Sequence, residues 1–183
     1  MRIDLRKLLT GEINKMPLDY TFPISESMDA GSDEIDSIDT EIDGVVFTSQ
    51  VEVKGEIVNM GGYMRLCATA SVDYDAECAR CLAPLSRSLS VDVERTLVPK
   101  DSLENTSEDE ADDYLEIVDS SIDPDNTFIE ELMMEFPYRE LCSEDCKGLC
   151  PKCGKNLNEG ECGCVKKEID PRLAILQKLL EKE

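Results

Sequence analysis

The chain has no histidine among its 183 residues, and that absence removes several kinds of chemistry at once. Histidine triads, histidine general bases, mixed cysteine–histidine metal sites and the usual catalytic zinc arrangements all need an imidazole. Long apolar runs are missing too, so no segment reads as a membrane-spanning helix. The start of the chain lacks the uninterrupted apolar stretch of a secretory signal, because Arg2, Asp4, Arg6, Lys7 and Glu12 interrupt Met1 to Asn14. Cations are scarce: 19 Lys and Arg against 41 Asp and Glu leave a formal net charge of −22. Such a field repels phosphate, so direct nucleic-acid binding is not expected and a basic protein partner fits better. These features predict a cytoplasmic protein that is not an enzyme and does not associate with membranes.

What the chain does have is cysteine. Eight of its nine cysteines form four close pairs: Cys78 with Cys81, Cys142 with Cys146, Cys150 with Cys153, and Cys162 with Cys164. In a reducing compartment, clustered thiols point to metal rather than to disulfides. The segment Cys150-Pro151-Lys152-Cys153-Gly154 puts two sulfurs around a short turn, as in a knuckle that grips zinc from one side. Zinc holds thiolate sulfur at about 2.3 Å, so the sulfurs of a tetrahedral site stand roughly 3.8 Å apart. Cys162 and Cys164 can close this site after the chain doubles back through Asn156, Asn158 and Gly160.

Cys78 and Cys81 form a second knuckle whose partners must be distant in sequence. Cys142 and Cys146 are the pair left over, and their spacing suits one face of a helical turn over Leu141 to Lys147. The expectation is thus two sites, Cys78, Cys81, Cys142 and Cys146 in one and Cys150, Cys153, Cys162 and Cys164 in the other. Even spacing of Cys142, Cys146 and Cys150 leaves open a single site that joins Cys78 and Cys81 to any two of these. A four-thiolate zinc site is coordinatively closed, so one or two zinc ions would be structural. Iron–sulfur ligation is the competing chemistry, and the glycine-rich turns favour zinc. Cys67 sits in a strand pattern as a bystander.

The rest of the chain reads as an α+β domain spanning residues 1–183, an antiparallel sheet or partly closed barrel packed by one or two helices, with a cysteine-rich zinc module near the C-terminus. The strand-rich body covers 44–98. Val45 to Asn59 alternates, with Val45, Phe47, Val51, Val53 and Ile57 on one face. Met64, Leu66, Ala68, Ala70, Val72, Tyr74 and Ala76 alternate with polar residues in the strongest strand signal, and Leu85, Leu89, Val91, Val93 and Leu97 continue the pattern. The Cys78–Cys81 knuckle falls at the tip between these last two strands. No helix pattern follows Cys81, which argues against a thioredoxin-like redox pair.

Residues 101–113 form an acidic loop, and Tyr114 to Val118 a short strand. A helix over 126–137, capped by Asp125 or Asn126, presents Phe128, Ile129, Leu132, Met133 and Phe136. The zinc module covers 142–164. A last helix over 170–183 starts at Asp170-Pro171-Arg172. The stretch Met1 to Ile24 carries mixed signals, with Pro17 and Pro23 bracketing an extended piece.

The motifs Cys78-Ala79-Arg80-Cys81-Leu82-Ala83-Pro84, the run Leu141 to Gly154 (LCSEDCKGLCPKCG), Asn156-Leu157-Asn158-Glu159 and Asp170-Pro171-Arg172-Leu173 together resemble the bacterial YceD family. The resemblance implies a non-enzymatic protein needed for large-subunit ribosomal RNA accumulation or processing. Joined to the acidic charge, it implies a partner that is a ribosomal protein or a large-subunit assembly intermediate. The alternative function is a redox-responsive zinc switch or chaperone, since closely spaced thiolates permit oxidation with metal release. No feature specifies the oligomeric state.

Overall fold

The computed structural model describes residues 1–24, 42, 44–100, 102 and 113–164. Along the chain these form β1 (Ile3–Asp4), α1 (Arg6–Leu9), β2 (Lys15–Phe22), β3 (Val45–Phe47), β4 (Val51–Met60), β5 (Tyr63–Glu77), β6 (Pro84–Pro99), β7 (Tyr114–Ile117), β8 (Ser121–Ile122), α2 (Asp125–Glu135) and a 3-10 turn, Leu157–Glu159. The main sheet runs in the order β2-β4-β5-β6-β7, with β3 also pairing with β5, and β1 pairs with β8 in a small second sheet. The protein is therefore mostly sheet with few helices. The acidic segment over 101–113 falls largely outside the described residues, and the expected helix over 170–183 entirely so.

β5 and β6 form the spine, in unbroken antiparallel register from Met64↔Leu97 to Glu77↔Pro84. Their alternation follows the sequence: Met64, Leu66, Ala68, Ala70, Val72, Tyr74 and Ala76 are all buried. The opposite face is polar and open to solvent, the usual division in an antiparallel sheet covered on one side. Between β4 and β5, Gly61 and Gly62 have φ of +67° and +100°, values that suit a two-residue hairpin loop. Gly55 is required for a different reason. A Cβ there would lie 2.3 Å from the Cys67 carbonyl oxygen and 2.5 Å from the Ala68 Cβ.

Four expectations need correction. The sheet is not closed into a barrel: β2 and β7 lie at opposite ends of the strand order and do not pair. The apolar face is instead covered by α2, through Phe128, Ile129 and Leu132, and by Ile3, Leu5 and Leu8 of the N-terminal segment. Each such side chain contributes about 1.5–3 kcal/mol by leaving water.

Second, Val45 to Asn59 is not one strand. Phe47 faces Tyr74 whereas Glu52 faces Ser71, so two extra residues bulge out around Thr48–Gln50, held by the Thr48 N–H on the Asp73 carbonyl at 2.8 Å. Third, β7 joins β6 in parallel, an orientation that no local pattern specifies. Fourth, α2 begins after Pro124, which makes no side-chain cap. Asp125 is a helical residue whose carboxylate accepts a hydrogen bond from the Tyr20 hydroxyl at 3.0 Å, so tertiary pairing has taken the group that a cap would use. Among the described residues no helix is long and apolar enough to cross a membrane.

Candidate metal centres

The long spine carries the first cluster to its tip. After β5 the chain turns through Cys78–Ala83, closed by the Cys78 N–H on the Ala83 carbonyl and the Leu82 N–H on the Cys78 carbonyl, both 2.9 Å. Leu82 takes a φ of +57° to complete the reversal, leaving its side chain exposed. Cys78 and Cys81 thus project from a rigid hairpin end. Cys142 and Cys146 arrive from the segment after α2. Their sulfurs stand 3.7 Å (Cys81–Cys142) and 3.8 Å (Cys78–Cys146) from those of the knuckle, and the four ligand atoms lie within 4.8 Å of one another.

The expected helical turn over Leu141 to Lys147 does not form. Carbonyls that would accept helical bonds are engaged across the junction. The Ala79 N–H bonds the Glu140 carbonyl at 2.9 Å, Arg87 donates to the Leu141 carbonyl at 3.3 Å, and Arg80 donates to the carbonyls of Glu144 and Cys146 at 3.2 and 2.9 Å. Gly148 completes the seam: its φ is +71°, and a Cβ would stand 2.9 Å from the Arg80 carbonyl oxygen. Cys78, Cys81 and Cys146 are buried here with Ala83, Leu85, Leu141 and Leu149 packed around them.

The second cluster is built from local chain alone. Cys150 and Cys153 flank a turn tied by the Cys150 N–H on the Lys155 carbonyl and the Gly154 N–H on the Cys150 carbonyl, both 2.9 Å. The Leu149–Asn156 bridge turns the chain back, and the Asn156 side chain accepts from the Asn158 N–H at 3.0 Å to start the 3-10 turn. Cys162 and Cys164 then return around Gly163, at φ +71°. These four ligand atoms also lie within 4.8 Å of one another. Cys153 is exposed and Cys162 and Cys164 are half-buried, while Cys150 is buried.

All nine cysteines are free, and sulfur separations of 3.7 and 3.8 Å are far beyond the roughly 2.05 Å of a disulfide. They match the roughly 3.8 Å edge of a zinc–thiolate tetrahedron. Donors converge on the sulfurs as they would on thiolates: the Cys142 N–H reaches the Cys78 Sγ at 3.4 Å and the Asn158 amide reaches the Cys146 Sγ at 3.2 Å. Burial pushes the Cys78 thiol up, but the amide groups of Cys142, Arg80 and Cys81 outweigh it and bring it down to about 6. The amides of Cys153 and Lys152 bring Cys150 down to about 6 in the same way.

Their neighbours move the other way. The Ala83 amide lowers Cys81, but burial and the surrounding sulfurs raise it to about 12, and Cys153 and Cys162 raise Cys164. Four sulfurs this close cannot all ionise by themselves, and a dication resolves the conflict by holding every one as thiolate. Both clusters could therefore hold a metal ion, and their donor set is consistent with zinc.

Each of the eight sulfurs expected to meet does so, in the two quartets that the sequence pairing favours. Cys67 stands apart on the outer face of β5 and is exposed. What the sequence reading missed is the support around the sulfurs: Arg80, Gly148 and Asn158. Asn158 was visible only as a turn former, yet its Oδ1 also accepts from the Lys147 N–H at 2.8 Å.

Sheet and clusters together define a class, mostly β proteins with paired four-cysteine sites at one end. Within that class the chain belongs to the YceD family: the family model described as "Large ribosomal RNA subunit accumulation protein YceD" matches residues 66–180. An uncharacterized protein of Mycobacterium tuberculosis is 34% identical over 73% of this chain and 62% of its own length. The chain thus spans about three-fifths of that relative. The uncharacterized protein YlbN of Bacillus subtilis is 26% identical over 94% of this chain and 95% of its own. A chloroplast protein of Arabidopsis thaliana, named a large ribosomal RNA subunit accumulation protein YCED homolog, is 40% identical over 26% of this chain and 15% of its own. No solved structure matches the chain significantly.

Proposed function

We propose that the chain is a non-enzymatic, cytoplasmic zinc-binding protein that supports large-subunit ribosomal RNA accumulation or processing and ribosome assembly through contacts with protein. The observation that carries this reading is the first quartet, which ties the tip of a long hairpin to a distant segment of a chain whose family model bears the ribosomal RNA description. Cys78, Cys81, Cys142 and Cys146 would hold one ion, and Cys150, Cys153, Cys162 and Cys164 the other. Bound zinc would supply structural cross-links with no open position for substrate. Lacking histidine as well, the chain has no imidazole to act as ligand or general base. Each site would add roughly two negative charges to an already acidic molecule. The partner that such a surface attracts is basic, such as a ribosomal protein on a large-subunit precursor, with association weakened by salt.

The test combines metal analysis of protein purified under reducing conditions with binding to assembling large-subunit particles. Two zinc equivalents per chain and capture of ribosomal proteins at low salt are expected. Metal-free protein of unchanged stability, or tight ribosomal RNA binding with a steep salt slope and no ribosomal protein captured, would overturn the reading. The second reading, a redox-responsive zinc switch or chaperone, draws its support from the exposed Cys153. Peroxide would oxidise two thiolates to a disulfide and be reduced to water, and coincident zinc release with holdase activity is its signature.

A further inference from the structure

Among the described residues β6 is the longest strand, and most of one side of it has no strand partner. β5 covers it from Pro84 to Leu97, whereas on the other side β7 covers only Thr96 to Pro99. The N–H and C=O of one residue in an antiparallel strand point to the same edge, and successive residues alternate edges. The Thr96 N–H bonds the Asp113 carbonyl and the Lys100 N–H bonds the Ile117 carbonyl, so even-numbered residues face away from β5. The unbroken β5–β6 register carries that parity back to Pro84. The backbone groups of Ser86, Ser88, Ser90 and Asp92 therefore point out of the open edge, and no described backbone group pairs with them. Glu94 ends the stretch, its carbonyl accepting from its neighbour Arg95 at 3.0 Å.

The two flanks of this edge differ. On the outer face, Ser86, Ser88 and Ser90 are small, and behind them Asp75, Asp73 and Glu77 sit exposed on β5, with Asp92 on β6 itself. Cations of that face, Lys15, Lys54 and Arg65, are engaged elsewhere with Glu56, Glu52 and Glu94. On the inner face, Leu85 and Leu89 are half-buried, while Arg87 and Arg95 are held by Glu140 and Glu131. The edge thus offers hydrogen-bonding backbone, carboxylates along one flank and partly open leucines along the other.

We propose that the Ser86–Asp92 edge of β6 accepts an extended segment of a basic protein as an added strand, with Lys or Arg alternating with apolar residues. Basic side chains would lie over Asp73, Asp75 and Asp92, and apolar ones against Leu85 and Leu89, the alternation that strand addition reads. A second copy of this chain is a poorer occupant. Symmetric pairing would bring the carboxylates of both copies to one face, on molecules that each carry −22. The proposal rests on the reading above that the protein works through protein contacts, and it names where such a contact forms.

The probe is a synthetic octapeptide alternating lysine and valine, titrated into the full metal-loaded chain and followed by amide hydrogen exchange. The control has the same composition with all lysines before all valines. The alternating peptide is expected to slow exchange at Ser86, Ser88, Ser90 and Asp92 and leave Arg87, Leu89 and Val91, already bonded to β5, unchanged. Ser88→Pro removes an edge N–H that β5 does not use, so it should weaken the peptide about tenfold while metal content stays the same. The double variant Asp73→Asn, Asp75→Asn keeps every backbone bond and should flatten the salt dependence, which keeps the idea testable if Ser88→Pro folds poorly.

Protection by the block peptide or an RNA oligonucleotide equally well, protection of the even amides by self-association without peptide, or no protection at these amides would overturn it. Capture of ribosomal proteins undiminished by Ser88→Pro would remove this edge but leave the proposed function standing. Failure of the unaltered chain to capture any would remove the function itself.

Discussion

The two four-cysteine clusters have the same donors and opposite construction. The first draws its ligands from two places 61 or more residues apart, buries three of its four sulfurs and is stitched by backbone bonds from Ala79, Arg80 and Leu149 across the junction. The second takes all its ligands from Cys150 to Cys164, buries only Cys150 and leaves Cys153 exposed. A long-range cross-link removes more freedom from the unfolded chain than a short one, and a buried sulfur is harder for an oxidant or a competing ligand to reach. The first cluster should therefore hold the fold together, and the second should shape a small peripheral knuckle.

The sharpest way to break that contrast is to delete one sulfur from each. Cys78→Ala should lose one zinc equivalent and destabilise the chain by on the order of 5 kcal/mol, with lost protection across the β5–β6 tip. Cys153→Ala should also lose one equivalent but cost about 1–2 kcal/mol, with sheet amides unchanged. Metal analysis, thermal unfolding and hydrogen exchange read all three quantities. Equal costs for the two would erase the distinction. Next in size is the seam between them. Gly148→Ala places a Cβ against the Arg80 carbonyl at a positive φ, and should cost about 1–3 kcal/mol and loosen the first cluster more than the second.

Asn158→Ala tests a smaller link, since this side chain stands in the second cluster's loop yet donates to Cys146 of the first. It should weaken metal at the first site by about 10–100-fold and cost about 1 kcal/mol of stability, as measured by competition with a chelator. The comparison can be sharpened further by a pH profile of the metal-free protein. Thiols held near 6 when folded, Cys78 and Cys150, have depressed values. They contribute stability that is fully present above the ordinary 9.0 and lost as pH falls towards 6. Cys81, raised to about 12, contributes stability that is lost as pH climbs from 9 towards 12. Denaturant melts should peak near pH 9 without metal, and the alkaline fall should vanish when zinc is restored.

The alternation of β5 was readable because one face of the strand meets the core and the other meets water, and that contrast is written into each residue in turn. The cysteine pairs were readable for a similar reason, because a knuckle is a local shape. Elsewhere the local signal misled. Arg87 and Arg95 sit on the apolar face of β6, made tolerable by Glu140 and Glu131 from distant parts of the chain. Leu141 to Lys147 has helical spacing but gives its carbonyls to Arg80 and Arg87. The bulge at Thr48–Gln50 is paid for by Asp73 and Ser49, and nothing in residues 45–59 alone announces it.

From the sequence alone came the strand faces, the eight paired sulfurs and the sign of the surface, because each depends on residues within a turn or two of one another. Tertiary structure alone decided that the sheet stays open, which strand edge is left unpaired among the described residues and how deeply each quartet is buried. Those outcomes depend on which segments meet across the fold, and that is settled by the packing of the core and the satisfaction of backbone groups far apart in the chain.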